Sequence, residues 1–423
     1  MASPSAAPAL RTRAGVDLGR YPVTVALSAL TCALTPAYTL RWRAGFYPST
    51  VLEDAIVITV VAFLVEAWRT RSLSLSLFRS PLAIPALIFL VAGAIDVVAA
   101  PDRRAALGIY RAYLIEPVAF FFVLGAVVRT RRIALVVMAG LAAAGAVIAI
   151  ANSLVIIDAI RHHTISPGVT GPVVIFTNAN DIALFLVPLI AVAGAITLHS
   201  SDRRERIVAG AFLAIAAAAV LLSFSRGGYL ALAALALGLA LSHRHRWWLV
   251  SAAALIAIVL LLIPPINQRV GVELDFANPQ NTLVGRFELW RVSLQMLEQH
   301  FLFGGGMSGF AQAIAPYWNP THIDRFIYPH NIVLTFWSET GLLGLFAFAW
   351  VMVASFVLAW RGWRAANAWR SIELGVFLAL VAVLVHGIVD VPYFKNDLSL
   401  EFWALVGLMW AGRRWSESEG RAG

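Results

Sequence analysis

The feature that most constrains this chain is the recurrence of apolar stretches near the length needed to cross a bilayer. A hydrocarbon core about 30 Å thick takes about 20 apolar residues per helix. Such stretches fall at 21–40, 50–68, 82–100, 107–128, 133–157, 173–198, 207–224, 228–241, 247–265, 331–360, 372–391 and 398–411. Inside lipid the backbone must satisfy its own hydrogen bonds, so each is read as a helix. The expected fold is therefore all-α, a polytopic transmembrane helical bundle of about 12 spans. Composition agrees, with 60% hydrophobic and 13% charged residues. Ordinary soluble proteins run at about 45–50% and about 25%. A disordered chain is excluded more firmly still. The single cysteine, Cys32, excludes an internal disulfide and a cysteine-based metal cluster.

The formal net charge is +9, and among the 32 basic residues only Lys395 is a lysine. A basic balance often points to nucleic acid. Here the arginines sit instead in short clusters between apolar stretches, as topology signals do. With the N-terminus inside, Arg11, Arg13 and Arg20 share the cytoplasmic side with Arg69, Arg71 and Arg79. The pattern repeats at Arg129, Arg131 and Arg132, at Arg203, Arg204 and Arg206, and in the later inner segments. The positive-inside rule then favours a multi-pass protein of the cytoplasmic membrane with both termini cytoplasmic. Residues 1–20 form a tail without the apolar core of a cleavable signal peptide. Spans one to nine occupy 21–265, an extracytoplasmic loop occupies 266–330, spans ten to twelve occupy 331–411, and 412–423 form a second tail.

The long loop has a pattern of its own. Phe287, Trp290, Leu294, Leu297 and Phe301 recur at three- and four-residue spacing, with Glu288, Arg291, Gln295 and Glu298 between them. That is an amphipathic helix, lying either on the membrane surface or against its own loop. Gly304, Gly305 and Gly306 end it and allow a turn.

Charge within a span is costly and marks function by default. Glu53, Asp54, Asp96, Arg111, Asp181, His386, Asp390 and Glu401 fall in the outer parts of their spans, and Asn178 and Asn180 lie near the same side. Their convergence points to a cavity open to the outer face. Three outer positions stand out. Arg226 lies in Ser225-Arg226-Gly227-Gly228, Arg286 follows Gly285 at the start of the amphipathic helix, and His330 lies in Pro329-His330-Asn331. Topology does not call for outer arginines, whereas a phosphate-bearing substrate does, because guanidinium grips phosphate oxygens bidentately. A histidine just before a helix is kept neutral by the dipole and can act as a general base. Glu339, nine residues on, is turned about 180° from His330 and bonds elsewhere.

At these residues the chain resembles the O-antigen ligase/polymerase family of bacterial membrane glycosyltransferases. The resemblance runs from Ser223 to about Gly344. It rests on Ser-Phe-Ser-Arg-Gly-Gly at 223–228, Gly285-Arg286 with Trp290, and Phe303-Gly304-Gly305-Gly306 with Phe310. Pro329-His330-Asn331, Leu334, Glu339 and Gly341-Leu342-Leu343-Gly344 complete it. Phe176-Thr177-Asn178-Ala179-Asn180 is similar to a family stretch from which Thr177 and Ala179 depart, and His386 to Asp390 is similar to another.

The resemblance implies a GT-C-like, inverting transferase that needs no metal or other cofactor. The donor would be a glycan on undecaprenyl diphosphate, and the acceptor a lipid or glycan with a free hydroxyl. Arg226 and Arg286 would hold the diphosphate. His330 would activate the acceptor, or alternatively donate a hydrogen bond to phosphate. Arg291, Asn178, Asn180, Asn331 and Arg111 would contribute to substrate binding, with Glu339, His386 and Asp390 supporting. Ligase is favoured over polymerase because O-antigen polymerases tend to have a second sizeable outer loop, whereas 158–172 is short. The polysaccharide could be O-antigen, capsule or exopolysaccharide. A transporter or lipid flippase is the alternative from another class, but no internal repeat is visible and the polar groups crowd one end. A membrane scaffold would leave Arg226, Arg286 and His330 without a role.

Overall fold

The computed structural model describes residues 19–45, 47–72, 80–164, 172–278, 281–318, 326–365 and 367–422. Most of the N-terminal tail, with Arg11 and Arg13, lies outside them, as does Arg79.

A helix occupies each of the twelve apolar stretches. Apolar residues on every side of a helix call for burial on every side. α7 (Ala179–His199) meets that demand, being buried almost without interruption from Asp181 to Ile196. Around it stand α6 (Arg131–Arg161), α8 (Arg203–Leu222), α9 (Arg226–Ser242) and α15 (Arg370–Gly387). α1 (Pro22–Ala33) packs on α2 (Val51–Arg69) and α6. α3 (Ala83–Ala99) packs on α14 (Ile332–Arg364). α4 (Arg103–Ile109) passes through a π-helical turn, Tyr110–Ile115, into α5 (Glu116–Val127), which packs on α16 (Asn396–Ala422). α10 (Arg246–Leu261) buries none of its residues. It shows Leu255, Ile256, Ile258 and Val259 outward, as a lipid-facing helix would.

Among the described residues six helices are long and apolar enough to cross a membrane, or up to seven if a bent pair counts as one span. α1, α3 and α9 are apolar but shorter. Helices thus stand where the sequence placed them, while length and composition alone certify fewer than twelve crossings. One element departs from the all-α expectation. β1 (Arg41–Ala44) and β2 (Tyr47–Thr50) form an antiparallel hairpin between α1 and α2. Gly45, at φ +62°, supplies the backbone that a tight hairpin turn requires.

The segment before α14 is structured through its described residues. It holds α11 (Pro264–Leu274), α12 (Thr282–Gln299) and α13 (Phe310–Ala313). α12 is amphipathic, but not along the expected line. Leu289, Val292, Met296 and Leu297 form its buried face with Phe310, Ile314 and Leu334, while Phe287, Leu294 and Phe301 are exposed. One apolar face thus covers its own loop and the start of α14, and a second is left outward.

A break in α14 fixes this segment to the bundle. Gly341 has φ +60° and ψ −175°, outside helical geometry. The turn around Gly304-Gly305-Gly306 docks there: Gly305 N–H donates to Ser338 O (2.9 Å) and Leu342 N–H to Leu302 O (2.9 Å). A Cβ on Gly341 would lie 2.5 Å from Leu302 O. Glu339, as expected, does not face His330. Its carboxylate accepts from Ser308 N–H (2.6 Å) and from the Phe310 backbone.

Candidate functional site

The connections that follow α1, α3, α6, α13 and α15 meet at one end of the bundle, around a cavity of about 1240 Å³. It is lined by Arg286, His330 and Asp390, by Asn178 and Asp181 at the start of α7, and by Arg41, Arg43, Arg104 and Arg111.

His330 is placed by three constraints. Its backbone is left-handed, at φ +51°, a conformation that costs energy for a residue with a side chain and gathers at functional sites. Asn331 caps α14, accepting from Val333 and Leu334 N–H, and its Nδ2 donates to Ile388 O (3.0 Å). Trp290 Nε1 donates to Pro329 O (3.1 Å), tying α12 to the same turn. His330 thereby meets the linker after α15, and Asp390 becomes the hub of the site.

The span expected to run to 391 ends as a helix at Gly387, so Asp390 stands outside it. His330 Nδ1 lies 2.9 Å from Asp390 Oδ1. Asn180 Nδ2 donates to Oδ2 (3.0 Å), Val391 N–H donates to Oδ1 (3.0 Å), and Arg286 Nη2 is 3.9 Å from Oδ2. Burial pushes the Asp390 carboxyl up, but the His330 hydrogen bond and the charges of His330, Arg286 and His386 outweigh it. They hold it well below the usual carboxylate range. An ionised Asp390 can only accept, so Nδ1 is the donor, and in the neutral ring Nε2 is then the acceptor. Phe326 packs edge-on at 4.8 Å and narrows the ring's freedom.

Beside this pair three guanidinium groups gather from three helices. Arg226 begins α9, Arg269 lies on α11 and Arg286 on α12, and each of the other two lies within electrostatic reach of Arg226. Arg226 Nε and Arg286 Nη1 are buried without a hydrogen-bond partner among the described residues. Burial pushes the Arg286 guanidinium down, and Asp390 only partly offsets this. Buried guanidinium N–H groups that lack acceptors are the arrangement an anion would complete. Arg226 is ion-paired with Glu273 and donates to Thr282 Oγ1 (3.0 Å). Glu273 also accepts from the Thr282 and Leu283 N–H groups, so Arg226 is tied to the first turn of α12. The turn before Arg226 repeats the device seen at His330: Phe224 is left-handed at φ +54°. Gly227 must be a glycine, since a Cβ there would meet the His386 ring at 2.7 Å.

The remaining expected residues divide. Arg111 lines the cavity, held by Glu53 (2.8 Å) and Glu116 (3.5 Å) and stacked over Tyr47. Asn178 lines it and caps α7. His386 is buried behind Gly227, and Asn331 acts from outside the cavity through its caps. Arg291 is turned to the surface and paired with Glu288, so it does not join the cluster. Sequence reasoning missed Arg269 and Glu273, and gave Asp390 only a supporting place. Among the described residues no group of three His, Cys, Asp or Glu is placed to hold a metal ion.

Residues 209–349 match the family model described as O-antigen ligase. No curated protein matches the chain. The matched stretch contains Arg226, Arg269, Arg286 and His330 and ends before Asp390. With its apolar helices and that stretch together, the chain is a membrane protein whose residues 209–349 are similar to the O-antigen ligase family.

Proposed function

We propose that the protein is an O-antigen ligase-like glycosyltransferase. It moves a glycan from undecaprenyl diphosphate to an acceptor hydroxyl at the outer face of the cytoplasmic membrane, with both termini on the inner side. The observation that carries this reading is the His330–Asp390 pair, which lines one large cavity together with Arg286, with Arg226 in electrostatic reach of Arg286 and Arg269.

The chemistry follows from the donors and acceptors present. The acceptor oxygen attacks the anomeric carbon while His330 Nε2 takes its proton, and Asp390 steadies the imidazolium that forms. The bond from the anomeric carbon to the diphosphate oxygen breaks, and its electron pair leaves with the lipid diphosphate. Arg286 and Arg226 neutralise that charge as it develops, through N–H groups already desolvated and aimed. Attack opposite the leaving group inverts the anomeric centre. Arginines in this role replace a metal. The length of the segment before α14, against the short connection after α6, supports ligase over polymerase.

The test uses purified protein in liposomes with a polyprenyl-diphosphate-linked oligosaccharide and a panel of acceptors. Release of polyprenyl diphosphate that depends on His330 supports transfer, and product length separates ligase from polymerase. Movement of intact lipid between leaflets, with no release for any acceptor, would replace this reading with a transporter.

A further inference from the structure

Part of the wall of the cavity is a second cationic surface, with Arg41, Arg43 and Arg104, and the proposed reaction leaves it unused. At about 1240 Å³ the cavity exceeds the range of about 300–1,000 Å³ typical of single small-molecule sites. It has room for two substrates. If the diphosphate lies against Arg286, this surface is left for the acceptor.

That surface is the β1–β2 hairpin and the start of α4. Side chains two apart on a strand share a face, so Arg41 and Arg43 project together and Trp42 projects oppositely. Trp42 and Ser49 border the cavity too, but their polar atoms are already engaged. Trp42 pairs in register with Ser49, and both donate to Asp54, through Nε1 (2.7 Å) and Oγ (2.7 Å). Arg41 and Arg43 pair with Thr50 and Pro48 on the other face. The carboxylates that line the cavity are engaged elsewhere. Glu53 holds Arg111, Asn396 and the Thr50 N–H, and Asp102 caps α4 through the Arg104 and Ala105 N–H groups. Lys395 is paired with Asp181 at 2.7 Å. Among the described residues no carboxylate pairs with Arg41 or Arg43, and both line the cavity.

Resting on the transferase reading, we propose that the hairpin wall is the acceptor subsite, where Arg41 and Arg43 grip an anionic group, phosphate or carboxylate, carried by the acceptor near its reactive hydroxyl. Guanidinium suits this role because it stays charged and offers paired donors to two oxygens. The subsite sets which acceptors present their hydroxyl to His330.

The experiment reads binding without turnover, so failure of the transfer reaction would not be mistaken for failure of this subsite. Full-length protein in phosphatidylcholine nanodiscs is titrated with an alkyl disaccharide bearing one phosphate monoester, and with its unphosphorylated twin. Wild type is expected to bind the phosphorylated probe about tenfold more tightly, the order a charge-assisted bond provides. Arg41→Gln with Arg43→Gln should shrink that preference to below about twofold. The paired lysine substitutions and the control Arg161→Gln, at an exposed arginine outside the cavity, should keep most of it. Equal binding of the twins by wild type would overturn the proposal, as would a preference that survives the double glutamine variant. Displacement of the probe by phosphatidylglycerol in the nanodisc would also overturn it, because the arginines would then be lipid headgroup contacts.

Discussion

Asp390→Asn is the substitution that most directly probes the site, because it keeps the shape and removes the charge. Asp390 now accepts from His330 Nδ1 at 2.9 Å, Asn180 Nδ2 at 3.0 Å and Val391 N–H at 3.0 Å. An asparagine has one oxygen for these donors. If that oxygen faces His330, its amide group faces the Asn180 amide and Arg286, donor against donor. If it turns the other way, the amide drives His330 to the tautomer whose Nε2 carries a proton and cannot accept one. Either arrangement loses a hydrogen bond to an ionised group, worth about 1.5–3 kcal/mol. At about 1.36 kcal/mol per tenfold in rate, turnover should fall by about 10- to 150-fold. The assay is release of polyprenyl diphosphate at saturating donor, with thermal melting to confirm that the variant is folded. A folded variant with kcat within about twofold of wild type would refute the view that Asp390 sets the state of His330.

Other consequences follow from the same geometry. His330→Ala should lower turnover by about 10²- to 10⁴-fold while donor binding persists, and loss of donor binding in equilibrium titrations would instead make His330 a phosphate contact. Arg286→Ala or Arg226→Ala should weaken donor use without unfolding the protein, and unchanged donor saturation curves in both would remove the diphosphate role. Turnover should survive EDTA, whereas activity restored only by added divalent ion would count against arginine neutralisation. Asp390 is held below its ordinary value, so it stabilises the fold above about pH 3.8 and that contribution is lost as pH falls through the folded-state value. Melting temperature should therefore fall less on acidification in Asp390→Asn than in wild type, and parallel curves would contradict this. Gly341→Ala should destabilise by about 1–3 kcal/mol through forced positive φ, read as a lower melting midpoint.

What the sequence made legible was whatever repeats along one helix or one strand of text. The apolar stretches gave the helices, since their periodic burial is a local property. Arg286 and His330 stood out because each is a polar residue in a short, unusual setting, and both came to the cavity. Arg291 shared those looks, but the phase of α12 turns it to the surface, because the buried face is set by Leu289, Val292 and Met296 rather than by Phe287 and Leu294. The hairpin went unread for a related reason: four-residue strands are too short for an alternation to rise above chance. Arg269 and Glu273 lie in a stretch with no pattern, and only the docking of α11 beside α9 reveals them. Asp390 was seen, but its weight depends on His330, 60 positions earlier, a pairing that no local window contains.

The broken helix shows how such distant pairings become dependable. A continuous α14 would satisfy its own carbonyls and offer the outer segment nothing to bind. The break at Gly341 frees Ser338 O to take the Gly305 N–H and lets Leu342 N–H reach Leu302 O, while Glu339 reaches the turn through Ser308. α12 is thus anchored at its C-terminal end to the same helix whose N-terminal end presents His330. At its other end Glu273 and Arg226 hold its first turn. Arg286, one turn in from that end, is positioned by both attachments, and so its distance to Asp390 is set by backbone contacts rather than by its own flexible side chain. The glycines of Gly304-Gly305-Gly306 and Gly341 therefore help to position the candidate site: loosening either would move Arg286 and His330 relative to one another while leaving both in place in the sequence.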